Sequence, residues 1–189
     1  VTNQRLEDIG AILPLLGTLA EKNINGHVII APEFSRDFLN RLTTAKVKHN
    51  SMVVALKLST FDKDDLLKDV AVLTEAKFLD KNIYTKYEDF VNDIKFENLG
   101  KVEKSIIGDI KTVFIGGNGK TEERVKEIKN ILENTESLFD KDTLEKRVAF
   151  LSGGIAQIKI GGDSDFEKTY FRLKAENTVN AVQIALKDG

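Results

Sequence analysis

The residues whose types could do chemistry are few, and the most suggestive run is Gly116-Gly117-Asn118-Gly119-Lys120-Thr121. A glycine-rich loop followed by lysine and threonine can cradle a phosphate, but the phosphate-loop motif needs a glycine five residues before its Gly-Lys pair. That position holds Phe114, so the spacing favours a turn between a strand and a helix, with Thr121 as a cap. Pairs at Gly153-Gly154 and Gly161-Gly162 also miss the dinucleotide spacing and read as hinge and turn. Two histidines, His27 and His49, stand without a metal-binding spacing, and there is no cysteine for thiolate chemistry. Acidic clusters at Asp62–Asp65 and Asp163–Asp165 fall where helices are expected to start, where carboxylates complement the helix dipole.

The elements that must position these residues belong to a chain of 189 residues, long enough to bury a core. Hydrophobic residues make up 41% and charged residues 31%, a globular balance. Apolar runs last only a few residues, too short for a membrane span. With 28 basic against 30 acidic side chains there is no basic excess for a nucleic-acid footprint. The chain opens on Val1 and stops at Gly189 directly after a helical pattern, and it reads as an excised piece of something longer.

Periodicity predicts a helix near Ile9 to Lys22, the strand His27–Ala31, a helix from Arg36 to Lys46 capped by Ser35, and a strand from Met52 to Leu58. An amphipathic helix over Lys63 to Glu75 follows, then a helix over Lys86 to Ile94 and a linking strand from Leu99 to Lys104. After the strand Lys111 to Ile115 comes a helical hairpin, Thr121 to Leu138 and Asp142 to Leu151, joined at Phe139-Asp140. Ile155 to Ile160 alternates as a strand, and Phe166 to Leu186 forms the last helix. The fold class expected is α/β, a layered core of short strands flanked by helices. A lone strand-plus-helix tail cannot bury its own faces, so it belongs to a partial second domain beginning after Gly153-Gly154.

One anomaly is apolar. At about 100° per residue the first helix sets Leu13, Leu16 and Ala20 close together, and Ile12, Leu15 and Leu19 widen the arc beyond the stripe a surface helix needs. One edge is expected to face the core while Leu13 and Leu16 face elsewhere. Leu39 and Thr43 lie outside the core stripe of the next helix. Two such edges could line a groove for apolar segments, or both could be covered by other parts of the molecule.

Lys141 to Gly162, KDTLEKRVAFLSGGIAQIKIGG, resembles the stretch joining the apical and intermediate domains of group I chaperonins of the GroEL type. ILPLL at Ile12 to Leu16, IIAPE at Ile29 to Glu33 and KDVAVLT at Lys68 to Thr74 resemble further family segments, in family order and nearly family spacing. The resemblance covers essentially the whole chain and is weakest between Lys77 and Gly108. It implies a polypeptide-binding apical domain over 1–153, lacking its N-terminal segment, and the C-terminal part of the intermediate domain over 154–189. The equatorial ATPase domain would lie outside both ends.

The family is an ATP-driven double ring that binds non-native polypeptides and closes beneath a co-chaperonin lid. The resemblance makes Leu13, Leu16 and Leu39 groove leucines, and sets Thr43 and Thr44 where the family has valines, giving a more polar groove. It sets Asn177 at the position of the family's catalytic aspartate; a neutral amide can orient a water but cannot take its proton. Gly153 and Gly154 become the hinge. No cofactor is expected in this piece, whereas ATP and Mg serve the full-length parent, which assembles into rings while the piece is a monomer. No nucleic-acid or membrane partner is implied, and the compartment is a bacterial cytoplasm or an organelle stroma or matrix. Two other readings are a small α/β nucleotide-binding enzyme using Gly116 to Thr121 and a purely structural ring piece.

Overall fold

Two parallel strands are the centre from which the larger part of the molecule is built. The computed structural model describes residues 1–24, 26–49, 52–58, 63–108, 112–152 and 158–188. The chain divides into a unit of residues 1–153 and a unit of residues 154–189. In the first, β1 (His27–Ala31) and β2 (Val53–Lys57) run parallel with His27 opposite Val53 and Ala31 opposite Lys57. The crossover between them is α2 (Arg36–His49), the helix that a parallel pair requires.

Both faces of this small sheet are covered, as parallel strands demand. The two-residue period sends Ile29, Ala31, Val53 and Ala55 to one side, against Phe38 and Leu42 of α2 and against Leu6, Ile9 and Ile12. Val28, Ile30 and Leu56 go to the other side, against Leu67 and Val70 of α3 (Lys63–Thr74). Leu6 N–H donates to Glu33 O, and Thr2 N–H donates to Ile30 O beside β1. Asn3, almost wholly buried, donates to Asp64 and Asp80 and accepts from Lys81 N–H, binding the first residues to the start of α3.

The expected first helix divides in two. Asp8 accepts from Gly10 N–H and turns Ile9–Ala11 into a single 3-10 turn. Helix α1 (Leu13–Glu21) then starts afresh, with Pro14 in its first turn, where a missing N–H costs nothing. Its end is a Schellman motif: Asn23 takes φ 53°, its N–H reaches Ala20 O, and Ile24 N–H reaches Leu19 O.

Between Lys77 and Gly108 lie α4 (Tyr87–Asn92), a 3-10 turn at Phe96–Asn98, and β3 (Lys104–Ile107). The last pairs antiparallel with β4 (Thr112–Ile115). A linking strand over Leu99 to Lys104 does not form. Lys101 N–H instead donates to Thr74 O at the end of α3, and Gly100 lies so close to that carbonyl that a Cβ would stand 2.6 Å from it. Pairing therefore begins with Glu103 N–H on Ile115 O. The Lys77–Asp93–Tyr84 cluster fixes this region; hydrogen bonding from Lys77, then from Tyr84, lowers the Asp93 pKa.

The hairpin is α5 (Glu122–Glu133) and α6 (Leu138–Ser152), packed through Ile128, Leu144 and Leu151. Its joint lies at 134–137 rather than at Phe139-Asp140, because Ser137 accepts from Asp140 N–H and starts α6 one turn early. In the second unit, α7 (Asp165–Asp188) begins with Ser164 accepting from Glu167 N–H, while the Glu167 carboxylate accepts from Asp163 N–H. The expected strand Ile155 to Ile160 is not observed: 155–157 lie outside the described residues, and 158–160 carry no strand pairing.

Asp69 joins three helices. Its carboxylate is fully buried and accepts from Arg124 Nε at 2.8 Å and from Arg147 Nε at 2.6 Å, while Arg147 Nη2 donates to it at 3.1 Å. Asp65 adds a second, half-exposed carboxylate at 3.2 Å from Arg147. Burial alone would lower the arginine pKa values, but hydrogen bonds and charge from the acidic partners outweigh it and hold both up. Removing one member of a buried pair strands the other charge, at a cost of about 3–5 kcal/mol. Asp69→Ala is expected to lose about that much unfolding free energy in urea titration. Lys146→Ala, which breaks an exposed pair with Asp142, should lose under about 1 kcal/mol in the same titration.

Candidate functional site

Helix α1 is held by Ile12 and Leu19, both buried, and by Leu16, which packs half-buried against the first core cluster. Leu13 cannot share that face and is 49% exposed. The outer edge expected from the apolar arc is therefore present, but only Leu13 stands fully on it. Leu16 is shared between core and surface.

Helix α2 starts where Ser35 places it. Its hydroxyl accepts from Phe38 N–H at 3.0 Å and donates to Glu7 O at 2.8 Å, while Ser35 N–H donates to Leu6 O. Phe38 and Leu42 then point into the core, and Leu39, 39% exposed, is turned outward. Leu16, Phe38 and Leu42 meet in one apolar cluster, so α1 and α2 are anchored in the same core and each carries an outward leucine.

Thr43 and Thr44 are exposed, as a surface position requires, yet less polar than their side chains suggest. Thr43 Oγ1 donates to Leu39 O at 2.9 Å and Thr44 Oγ1 donates to Asn40 O at 3.0 Å. Each hydroxyl proton is spent inside the helix. What remains is a methyl group and an oxygen that can only accept.

The glycine-rich run serves packing. Gly119 N–H donates to Leu73 O at 3.0 Å, and a Cβ at residue 119 would lie 1.6 Å from Val72 O. Gly117 approaches Leu73 O almost as closely, and Gly116 takes φ 73°. The loop thus closes over the last carbonyls of α3, which explains its glycines without a ligand. Thr121 occupies the cap position of α5, but its side chain makes no capping bond there. Glu122 and Glu123 occupy the first turn, so the dipole is already complemented by carboxylates.

The other expected residues are placed as follows. Asn177 is exposed on α7 in the second unit, next to Glu176, whose carboxylate lies 3.7 Å from Arg172. Gly153 and Gly154 lie outside the described residues. His27 is partly buried in β1, and that burial lowers its pKa. No group of three or more metal-ligating side chains occurs among the described residues.

The Asp69–Arg124–Arg147 cluster was missed in the sequence. A signal was available: the chain has only six arginines among its 28 basic residues, and two of them are here. The signal is weak, because the other four arginines, Arg5, Arg36, Arg41 and Arg172, are exposed; it is burial that selects Arg124 and Arg147, whose planar forks suit a shared carboxylate.

No family model matches the chain. It is 33% identical over 194 residues to "Chaperonin GroEL" of Acholeplasma laidlawii, covering 100% of this chain and 35% of that protein. It is 29% identical over 194 residues to "Chaperonin GroEL 1" of Prochlorococcus marinus subsp. pastoris, covering 100% of this chain and 32% of that protein. The chain thus spans about a third of the length of the curated relatives it matches. The packing of the 116–121 loop supplies a direct check of the phosphate-loop reading. Gly119→Ala is expected to lower the melting temperature by at least about 5 °C through its clash with the α3 carbonyls. Lys120→Ala should leave it within about 1 °C, and ATP should shift neither curve. Stabilisation by ATP that depends on Lys120 would restore the phosphate-loop reading.

Proposed function

The chain belongs to the group I chaperonins, and on that premise we propose that residues 1–153 are the polypeptide-binding apical part of a folding chaperone. Residues 154–189 are then the C-terminal part of its intermediate domain. The observation that carries this reading is the exposure of Leu13 and Leu39 on two helices rooted in one core.

A non-native chain differs from a folded one by the apolar surface it exposes. A receptor for many such chains needs permissive apolar contacts rather than exact polar ones. Burying a whole leucine is worth about 1.5–3 kcal/mol, and these two are already about half covered. One site therefore binds weakly, since association has its own entropic cost. Several copies arranged in a ring hold a client by avidity. Covering or turning away the same leucines, by a co-chaperonin lid or by movement of the whole unit, releases it.

ATP and Mg belong to the parent chaperonin in this reading, and Asn177 of α7 stands at the catalytic position. An amide there can orient water but cannot accept its proton, so hydrolysis in the parent is slow. The parent works in a bacterial cytoplasm or in an organelle. Among the described residues no helix is long and apolar enough to cross a membrane.

Leu13→Ser with Leu39→Ser tests the site without touching Leu16, whose packing against the core would confuse the result. Capture of a chemically unfolded test protein should fall at least about tenfold while the melting temperature stays within about 2 °C, since both side chains face solvent. Unchanged capture would refute the site. In the full-length parent, Asn177→Asp should raise steady-state ATP turnover by at least tenfold, and an equal rate would remove this position from the reaction.

A further inference from the structure

The outward face of α2 has a strong charge asymmetry that its apolar residues do not explain. The helix carries Arg36, Arg41, Lys46 and Lys48 against one carboxylate, Asp37, in a chain whose overall charge is −2. Arg41 is satisfied by Asp37 at 2.7 Å. Arg36 and Lys46 have no acidic partner among the described residues, and both are exposed. The nearby carboxylates of Glu7 and Glu33 lie at 3.3 and 4.0 Å from Arg5 instead.

These cations share a stripe with the outward apolar side chains. Arg36, Leu39, Thr43, Lys46 and Val47 follow the three- and four-residue spacing of one helix face, which runs beside the edge buried through Phe38 and Leu42. Val47 is 78% exposed, so the stripe offers two apolar contacts among two free charges. Helix stability accounts for Lys46, near the negative end of the dipole, but not for Arg36 in the first turn, where a cation is unfavourable. Between them, Thr43 offers an oxygen that can only accept.

We propose that this face of α2 selects apolar segments flanked by acidic residues, a preference that deepens the client-binding reading above and rests on it. A carboxylate beside the bound segment would meet Arg36 or Lys46, whereas a lysine or arginine there would meet like charge. Exposed charges of this kind act mainly on encounter and on the choice between clients. Their effect fades as the screening length shrinks from about 10 Å at 0.1 M salt to about 3 Å at 1 M.

The test uses three labelled peptides with one apolar core and flanks of aspartate and glutamate, of serine, or of lysine and arginine. Fluorescence anisotropy with the 189-residue chain should show the acidic-flanked peptide binding at least fivefold tighter than the basic-flanked one at 50 mM NaCl. The serine peptide should fall between them, and the ratio should shrink below twofold at 1 M NaCl. Arg36→Glu with Lys46→Glu should bring the low-salt ratio to one or invert it. If that variant fails to fold, the ratio in the unmodified chain decides alone. A ratio near one in the unmodified chain, with all three peptides bound, overturns the preference and leaves the client-binding face standing. Failure of all three to bind overturns both.

Discussion

The first unit depends on a charge taken out of water. Asp69 is fully buried on α3, and only the two guanidinium groups brought by α5 and α6 make that burial tolerable. The hairpin is therefore fixed to α3 by direction as well as by apolar contact, since Arg147 Nε and Nη2 together fix the approach of its fork. Phe150 continues the attachment by packing against the cluster beneath the sheet and the cluster inside the hairpin. Once α3 is fixed, its C-terminal carbonyls determine how close the 116–119 loop and Gly100 must come, and only glycine permits those approaches.

On the opposite face of the sheet the constraint is apolar. Phe38, Leu42, Ile9 and Ile12 fill it, and α1 and α2 can turn leucines outward because their inner faces already satisfy the core. Exposed apolar surface is affordable here because it is not what holds the unit together. The outward leucines and the ion cluster are thus separated by the sheet.

Much of this was legible in the sequence wherever one element decided its own fate. The strand His27–Ala31 was expected to the residue, and the cap at Ser35 and the outward turn of Leu13 and Leu39 follow from local chemistry and period. What escaped depends on partners distant along the chain. Leu99 to Lys104 offers only Leu99 and Val102 to a strand, and Thr74 O takes the Lys101 amide. Thr43 and Thr44 look polar in a sequence, and only the i to i−4 hydrogen bonds show that their protons are spent. Nothing in the pattern of α3 sets Asp69 apart from the helix's other charges, because its partners lie 55 and 78 residues away.

The turn at 134–137 is held by local bonds, Asn134 N–H on Ile131 O and Thr135 N–H on Leu132 O, with the Asn134 side-chain amide and Thr135 hydroxyl donating to Asn130 O and Ile131 O, and its residues face water or nearly so. Nothing in the sheet or the ion cluster is built from it. A short reporter tag or fluorophore attachment site spliced there would report on the first unit from a position well away in sequence and in core cluster from the leucines of α1 and α2.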